Sequence, residues 1–431
     1  MSETDTDAGD RFDDRGGGRT DEATPGLWRR VGRLPRNVFA ISLVSLFNDA
    51  SSEIIYPFLP LFLTLTLGAT PFAVGVIEGA AESISSLLKL FSGYFSDRRG
   101  RRKGLVVFGY GLASVTRPLL AFAGSWPQVF VIRLTDRVGK GIRSAPRDAL
   151  IADSARPAER GLAFGFHRAM DHAGAVVGPL AGYAILALIA RDANAPTAAD
   201  YRTLFLVASV PALIAVVVAA FFVREARRER RADAPAPPRL SLRGFDSNFK
   251  RFLLILALFT LSNSSDAFLL LRAQQAGVSA AAVPLLWAAL HICKVGSSLV
   301  GGDLSDRLGR KTLIVSGWFL YAAVYMGFAF VSSATEAWVL FLVYGLYFGL
   351  VEGTEKALVA DLVGPEQRGT AYGLYNLAFG VTVFPASLLM GGLWNGLGPR
   401  AAFAVSALIG VAAALLLALT VRQKEGSEAV G

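Results

Sequence analysis

Residues 93–102 read GYFSDRRGRR and residues 302–311 read GDLSDRLGRK, one ten-residue pattern met twice at an offset of 209 residues. A second pair follows at nearly the same distance. Ala152 and Asp153 with Arg160, Gly161 and Gly165 match Ala360 and Asp361 with Arg368, Gly369 and Gly373, at an offset of 208. A weaker match pairs Ser51, Ser52 and Glu53 with Ser264, Ser265 and Asp266. Between the copies lies the longest polar break in the chain, residues 224–249, where a charge run gives way to Ala and Pro, the composition of a linker. The repeat therefore divides the chain into two similar halves, residues 38–223 and 250–421.

Each half is apolar enough to sit in a bilayer. Hydrophobic residues make up 53% of the chain and charged residues 18%, against about a quarter charged in a soluble protein. Apolar stretches of the roughly 20 residues that a helix needs to cross hydrocarbon begin near Val38, Phe72, Gly104, Pro127, Gly161, Tyr201, Lys250, Ala281, Lys311, Glu336, Gly369 and Pro399. They lack the strict alternation of barrel strands, and backbone groups in lipid need internal partners. The expected fold is an all-α membrane protein of twelve helices. Residues 1–37 are too polar for a secretory signal and read as a disordered tail, with a second short tail at 422–431.

Basic residues fix the orientation. With the amino terminus inside, the inner tails and loops hold 30 Lys and Arg and the opposite side four, the asymmetry expected of a cell-membrane protein with both termini cytoplasmic. The net charge of +9 then belongs beside anionic lipid headgroups and calls for no nucleic-acid partner. Cys293 is the sole cysteine, which excludes an internal disulfide and a multi-cysteine metal site. His167 and His172 are five apart and share no helix face, so no metal is expected. No serine, histidine and acid arrangement suggests an intramembrane hydrolase, and no enzyme or cofactor is expected.

Charge inside the membrane follows a pattern. Helices 6, 9 and 12 have uncharged interiors, and helix 3 carries only Arg117. Helix 1 carries Asp49 and Glu53, helix 2 Glu78, Glu82 and Lys89, and helix 4 Arg133, Asp136, Arg137, Lys140 and Arg143. Helices 5, 7, 8 and 10 add His167, Asp171, Asp266, His291, Glu352 and Glu355. A charge facing hydrocarbon costs several kcal/mol, so these helices should line a polar cavity while every third helix faces lipid.

The pattern GxxxDRxGR[RK] between helices 2 and 3, here Gly93, Asp97, Arg98, Gly100, Arg101 and Arg102, resembles the best-known signature of the major facilitator superfamily. Its second copy is Gly302, Asp306, Arg307, Gly309, Arg310 and Lys311. The resemblance covers helices 1 to 12. It implies two pseudo-symmetric six-helix bundles around a midplane site, each built of inverted three-helix repeats, with the motif stabilising one access state and releasing on rocking. Glycine there lets helices approach, and a helix-end aspartate can meet a neighbouring positive terminus.

Gly174, Gly178, Pro179 and Gly182 in helix 5 are spaced as GxxxGPxxG, which resembles the signature of the superfamily's efflux antiporters, although Tyr183 stands where a further glycine is usual. In helix 4, Arg133 and Arg137 are both candidates for the family's arginine motif, with Gly139 and Gly141 at spacings that fit neither cleanly. Proton coupling needs a carboxylate or imidazole near midplane that can change protonation between access states; Asp49 with Glu53, Glu78 with Glu82, and His167 with Asp171 each lie one turn apart on one face. The expected activity is proton-driven efflux of a small organic solute by a monomer, energised by the proton gradient. Proton symport of a polar or anionic metabolite is the alternative, and a receptor that binds without flux is the alternative of another class. The cations of helix 4 suit an organic anion or zwitterion, the acids of helices 1 and 2 a cation, and Trp287, Tyr344, Tyr347, Tyr372 and Tyr375 could stack on a hydrophobic compound.

Overall fold

A computed structural model describes residues 31–99, 101–156, 159–225 and 241–422. Most of the expected tails and of the linker, Gly100, and the side chains of Asp97, Arg98 and Asp306 lie outside the described residues, as does the packing of Gly302, while Arg36 and Asn37, read as the end of the first tail, already belong to α1. Every regular element among the described residues is helical. In chain order they are α1 (Arg36–Thr66), α2 (Pro71–Arg99), α3 (Lys103–Phe122), α4 (Trp126–Ser154), α5 (Arg160–Ile189), α6 (Ala198–Phe221), α7 (Ser247–Gln275), α8 (Val283–Leu308), α9 (Arg310–Phe330) and α10 (Ala334–Leu362). A continuous run, Arg368–Thr420, follows. Gly398, at φ 85°, breaks it into α11 (residues 368–397) and α12 (residues 399–420).

The apolar segments expected from sequence all coincide with these rods. By length and apolarity alone eight runs among the described residues qualify as membrane spans, with Arg368–Thr420 counted once; α2, α4 and α8 are as long, but their charged and polar residues dilute the hydropathy. At 29 residues, α2 and α4 are each about 44 Å long, more than the roughly 30 Å of hydrocarbon. Helix ends follow local chemistry. Thr197 and Asp200 form a reciprocal capping box at the start of α6, and Ser333 caps α10 by accepting from the Glu336 backbone N–H. Gly309, at φ 86°, turns α8 directly into α9. Two rods are irregular inside: α1 changes to a π-turn over Phe62–Thr66, and α7 unwinds between Ser262 and Ala267.

In the first half α1 packs on α5 and α6, α4 on α2 and α3, and α3 on α6; in the second, α8 packs on α10, α9 on α10 and α12, and α7 on the 368–420 run. The halves meet along two seams, α2 with α11 and α5 with α8. Lipid gives helices no hydrophobic reason to associate, so close approach through small residues carries the packing. The α2–α11 seam shows this. A methyl on Gly79 would stand 2.7 Å from the Ser387 Cβ, and one on Gly391 would stand 2.9 Å from the Pro71 carbonyl oxygen. Ser83 Oγ donates to the Gly380 carbonyl at 2.5 Å. These contacts lie toward the face opposite the chain ends. Nearer the terminal face, Ser86 and Lys89 of α2 and Tyr375 and Asn376 of α11 part to line a cavity.

The outward surface carries large apolar side chains, among them Phe122, Leu188, Phe221, Leu254 and Leu419, as lipid contact requires. Helix α6 presents Leu206, Val210, Leu213 and Val217 outward and has no charge beyond its first turns. The one charge expected in α3, Arg117, turns inward, where its guanidinium donates to the Asn48 backbone and side-chain oxygens at 2.9 and 3.0 Å.

The repeated motif makes equivalent contacts in both halves. Gly93 faces Ala145 of α4, with 3.3 Å left for a methyl. Arg102 pairs with Asp153 and donates to the Ala149 carbonyl at 3.0 Å, while Arg310 pairs with Asp361 at 2.5 Å and donates to the Ala357 carbonyl at 2.8 Å. The aligned sequences set Arg101 opposite Arg310, yet Arg102 makes the contact, and Arg101 is exposed. Glu225 accepts from the Arg102 and Lys103 backbone N–H groups at the start of α3, and Lys311 reaches the Ala418 carbonyl at 2.7 Å. Arg307 is exposed.

Candidate functional site

Three adjoining cavities of about 480, 470 and 390 Å³ lie between the halves. Lys140 and Lys294 line all three, so they are lobes of one polar space. The 390 Å³ lobe is walled by Glu53, Tyr56, Glu82 and Arg137 of the first half and Asp266, Trp287 and Phe348 of the second. Glu53 and Asp266, joined in sequence only by the weakest of the three repeats, line it together.

The expected site residues separate into partnered and unpartnered groups. Arg133 grips Glu78 with three hydrogen bonds of 2.9–3.1 Å, both side chains being buried, and lies 4.0 Å from Asp136. Arg117 approaches Asp136 at 3.4 Å. Together these make a closed charge network joining α1 to α4, with carboxylates and guanidiniums neutralising one another. Arg137, one turn from Arg133, points instead into the cavity and makes no hydrogen bond or ion pair among the described residues; its Nε is buried and unsatisfied. Lys140 and Lys89 line the cavity likewise without a partner. Arg143 lies over the Tyr110 ring at 4.4 Å, with Nε and Nη1 unsatisfied.

The acids are answered mostly by neutral donors. Glu53 accepts from the Trp287 indole N–H at 2.7 Å, a contact between the halves, and Asp49 accepts from the Asn48 amide at 2.9 Å. Asp266, in the unwound part of α7, accepts from the Tyr344 hydroxyl at 2.8 Å. Glu355 accepts from Trp318 at 3.0 Å and Tyr375 at 2.7 Å. Glu82 has no such donor. Glu352 pairs with Lys294 at 3.4 Å, and the Lys294 ammonium sits 4.0 Å from the Phe348 ring centroid. His167 lies 3.6 Å from Asp171 and is buried; His291 packs edge-on to Trp287 at 5.0 Å.

The glycine and proline pattern of α5 lies against the acidic face of α1. Methyls on Gly174 and Gly178 would stand 2.7 Å from the Leu46 and 2.6 Å from the Ala50 carbonyl oxygens, and 3.1 and 2.7 Å from the Cβ atoms of Asp49 and Glu53. Gly182 continues the contact onto Ile54 and Phe58. Tyr183, in place of a further glycine, is exposed, so the departure leaves the contact intact.

The sequence reading did not single out Lys294 for the site and named Arg143 only among the charges of helix 4. Both carry an intramembrane charge, and that was the available signal. Tyr56, Phe348 and Phe379 carried none.

The model of the Major Facilitator Superfamily matches residues 41–387 and 354–430. An uncharacterised MFS-type transporter of Methanocaldococcus jannaschii is 34% identical over 396 residues, 89% of this chain and 94% of its own. A probable 4-methylmuconolactone transporter of Cupriavidus pinatubonensis is 27% identical, over 62% of each chain. Among solved structures, a bacterial homologue of the human lysosomal transporter Spinster, inward-facing and occupied, has a TM-score of 0.73 at 17% identity, covering 90% of this chain and 96% of its own.

Proposed function

Since the chain belongs to the Major Facilitator Superfamily, a family of membrane transporters, we propose that it carries a small organic solute through the central cavity by alternating access, coupled to a proton taken up at Glu53. The observation that carries this is the setting of Glu53. Its carboxylate faces the cavity, is held by the Trp287 N–H of the other half, and has no ion-pair partner among the described residues. A carboxylate held only by a neutral donor can take and release a proton without breaking a salt bridge, and the hydrogen bond it accepts ties its charge to the relation between the halves. Helix α1, which bears it, is pressed by Gly174 and Gly178 of α5, so movement of that face is felt directly by the acid.

Efflux in exchange for protons is the first direction, supported by the resemblance of the α5 pattern to that of antiporters and by a cavity open toward the face that the basic residues assign to the cytoplasm. Symport is the second reading, and the unpartnered bases favour it: an anion and a proton bound together neutralise one another, which couples them positively.

Reconstitution with an imposed pH gradient separates the two, whatever the orientation of the protein. Antiport accumulates solute on the acidic side and symport on the alkaline side, with protein-free vesicles correcting for passive permeation. Glu53→Gln, which can still accept from Trp287, should lower gradient-driven accumulation by about tenfold or more while counterflow of labelled for unlabelled solute persists. Wild-type accumulation in that variant overturns the role of Glu53. Flux indifferent to the gradient overturns coupling, and binding without flux makes the protein a receptor.

A further inference from the structure

We infer that the solute is an amphiphilic organic anion, its charged head seated against Arg137, Lys140 and Arg143 of α4 and a flat apolar body lying on Tyr347, Phe348 and Phe379 of the second half. This deepens the transport reading and rests on it, though on neither direction of coupling.

The two walls of the cavity differ in kind. Nine basic and six acidic side chains line the 470 Å³ lobe among the described residues. Of those acids Asp136, Asp148 and Glu352 are already paired with Arg117, Arg147 and Lys294, Glu53 and Asp49 accept from neutral donors, and Asp171 lies 3.6 Å from His167 with its Oδ1 unsatisfied. Arg137, Lys140 and Arg143 of α4 make no hydrogen bond or ion pair within 4.0 Å among the described residues, Glu82 of α2 being the acid whose charge acts most strongly on Arg137 and Lys140. Arg137, Lys140 and Arg143 are spaced three residues apart, so successive ones point about 60° apart around α4. Buried guanidinium N–H groups without acceptors are costly to leave dry. A carboxylate in the cavity gains charge-assisted hydrogen bonds from guanidiniums whose planar donors suit two-point contact. A cation in the same place meets three positive charges, and the cavity acids with neither a hydrogen-bond donor nor a Lys or Arg ion pair among the described residues are Glu82 and Asp171.

The opposite wall sets aromatic rings beside Lys294, Glu352, Glu355 and Lys356. Phe259, Tyr347, Phe348 and Phe379 line the 480 Å³ lobe together with Lys140, and Phe348 and Phe379 line the 390 Å³ lobe with Arg137 and Lys140. Lys140 is thus common to the charged and the apolar surroundings. Tyr344 stacks on Tyr347 with centroids 5.6 Å apart, and Tyr347 lies 5.2 Å from Phe348. Tyr347 is tilted 54° to Phe348 and 48° to Phe259, so the rings form an angled apolar surface, which suits an aromatic body and discriminates against a small polar anion by the area it leaves uncovered.

Binding to the full chain in detergent, followed by intrinsic tryptophan fluorescence and calorimetry, tests this without requiring flux. The probes are benzoate, its neutral isostere benzamide, its cationic analogue benzylamine, and acetate as a head without a body. Benzoate should bind at least about tenfold more tightly than each of the others. Arg137→Gln and Lys140→Gln should each weaken benzoate about tenfold, with Arg137→Lys recovering part, whereas Phe348→Ala should weaken benzoate and leave acetate unchanged. Benzylamine or benzamide binding as well as benzoate overturns the inference, as does a benzoate affinity unmoved in Arg137→Gln and Lys140→Gln. Benzoate bound but never carried in counterflow leaves the anion site standing and removes the transport reading. Flux of a cation that benzoate does not inhibit does the reverse.

Discussion

Arg133→Met should destabilise the protein by about 3–5 kcal/mol, the largest loss expected of any single cavity-region substitution. The guanidinium of Arg133 makes three hydrogen bonds to Glu78, and both side chains are almost fully shielded, at 5% and 7% exposure. Removing the cation leaves a carboxylate inside the bundle with no countercharge, and Asp136, 4.0 Å from the same guanidinium, loses part of its own. The cost arises from the charge left behind and only secondarily from the contact removed. The double variant Glu78→Gln with Arg133→Met should therefore recover most of the loss, since two neutral groups of similar volume remain. Thermal unfolding in detergent, read by size exclusion after heating, measures both. A single variant as stable as the wild type, or a double variant no better than the single one, contradicts the assignment of this pair as a structural staple.

Gly79→Val should lower transport by about five- to 150-fold, because overpacking of about 1–3 kcal/mol falls on one access state and shifts its population by that factor. The seam between α2 and α11 closes with only 2.7 Å between the site of a Gly79 methyl and the Ser387 Cβ, and 3.2 Å to the Phe384 ring. A branched side chain forces that seam apart and disfavours the state in which the cavity is sealed from the face opposite the chain ends. The second readout is access. In a Cys293→Ser background, Ser264→Cys, buried beside the 390 Å³ lobe, should react with a membrane-impermeant thiol reagent from that face only when Gly79→Val is also present. Lost transport without new labelling would place the damage in folding instead.

Much of the architecture was legible in the sequence because it is written in quantities that add along the chain. Apolar length locates rods, and a repeat at constant offset pairs them. The charged helices were legible for the same reason, each intramembrane charge being expensive enough to demand a polar neighbour. Which charge meets which was not. Arg133 and Arg137 differ by one turn of α4, a rotation of about 40°, and that suffices to put one against Glu78 and the other in the cavity; spacing alone left both open. The aromatic wall was only partly legible. Tyr347 and Trp287 stood among many aromatics that pack against other helices, and nothing local marked Phe348 or Phe379 as facing the cavity. Conversely, the weak match of Glu53 with Asp266 gained meaning only once both carboxylates were seen in one lobe.

The shift of one position between Arg102 and Arg310 bears on how the two halves should be compared as products of an ancestral duplication. Aligned letter by letter, the copies equate Arg101 with Arg310; matched by the aspartate and carbonyl they engage, they equate Arg102 with Arg310. What the two copies share is a fastening between the start of one helix and the end of the next, supplied from positions that differ by one in the ten-residue pattern. A substitution studied in one half should accordingly be carried to the other by the bond it breaks. Paralogous positions inferred from the alignment column would pair an anchoring arginine with a solvent-facing one, and would misread their unequal effects as functional divergence between the halves.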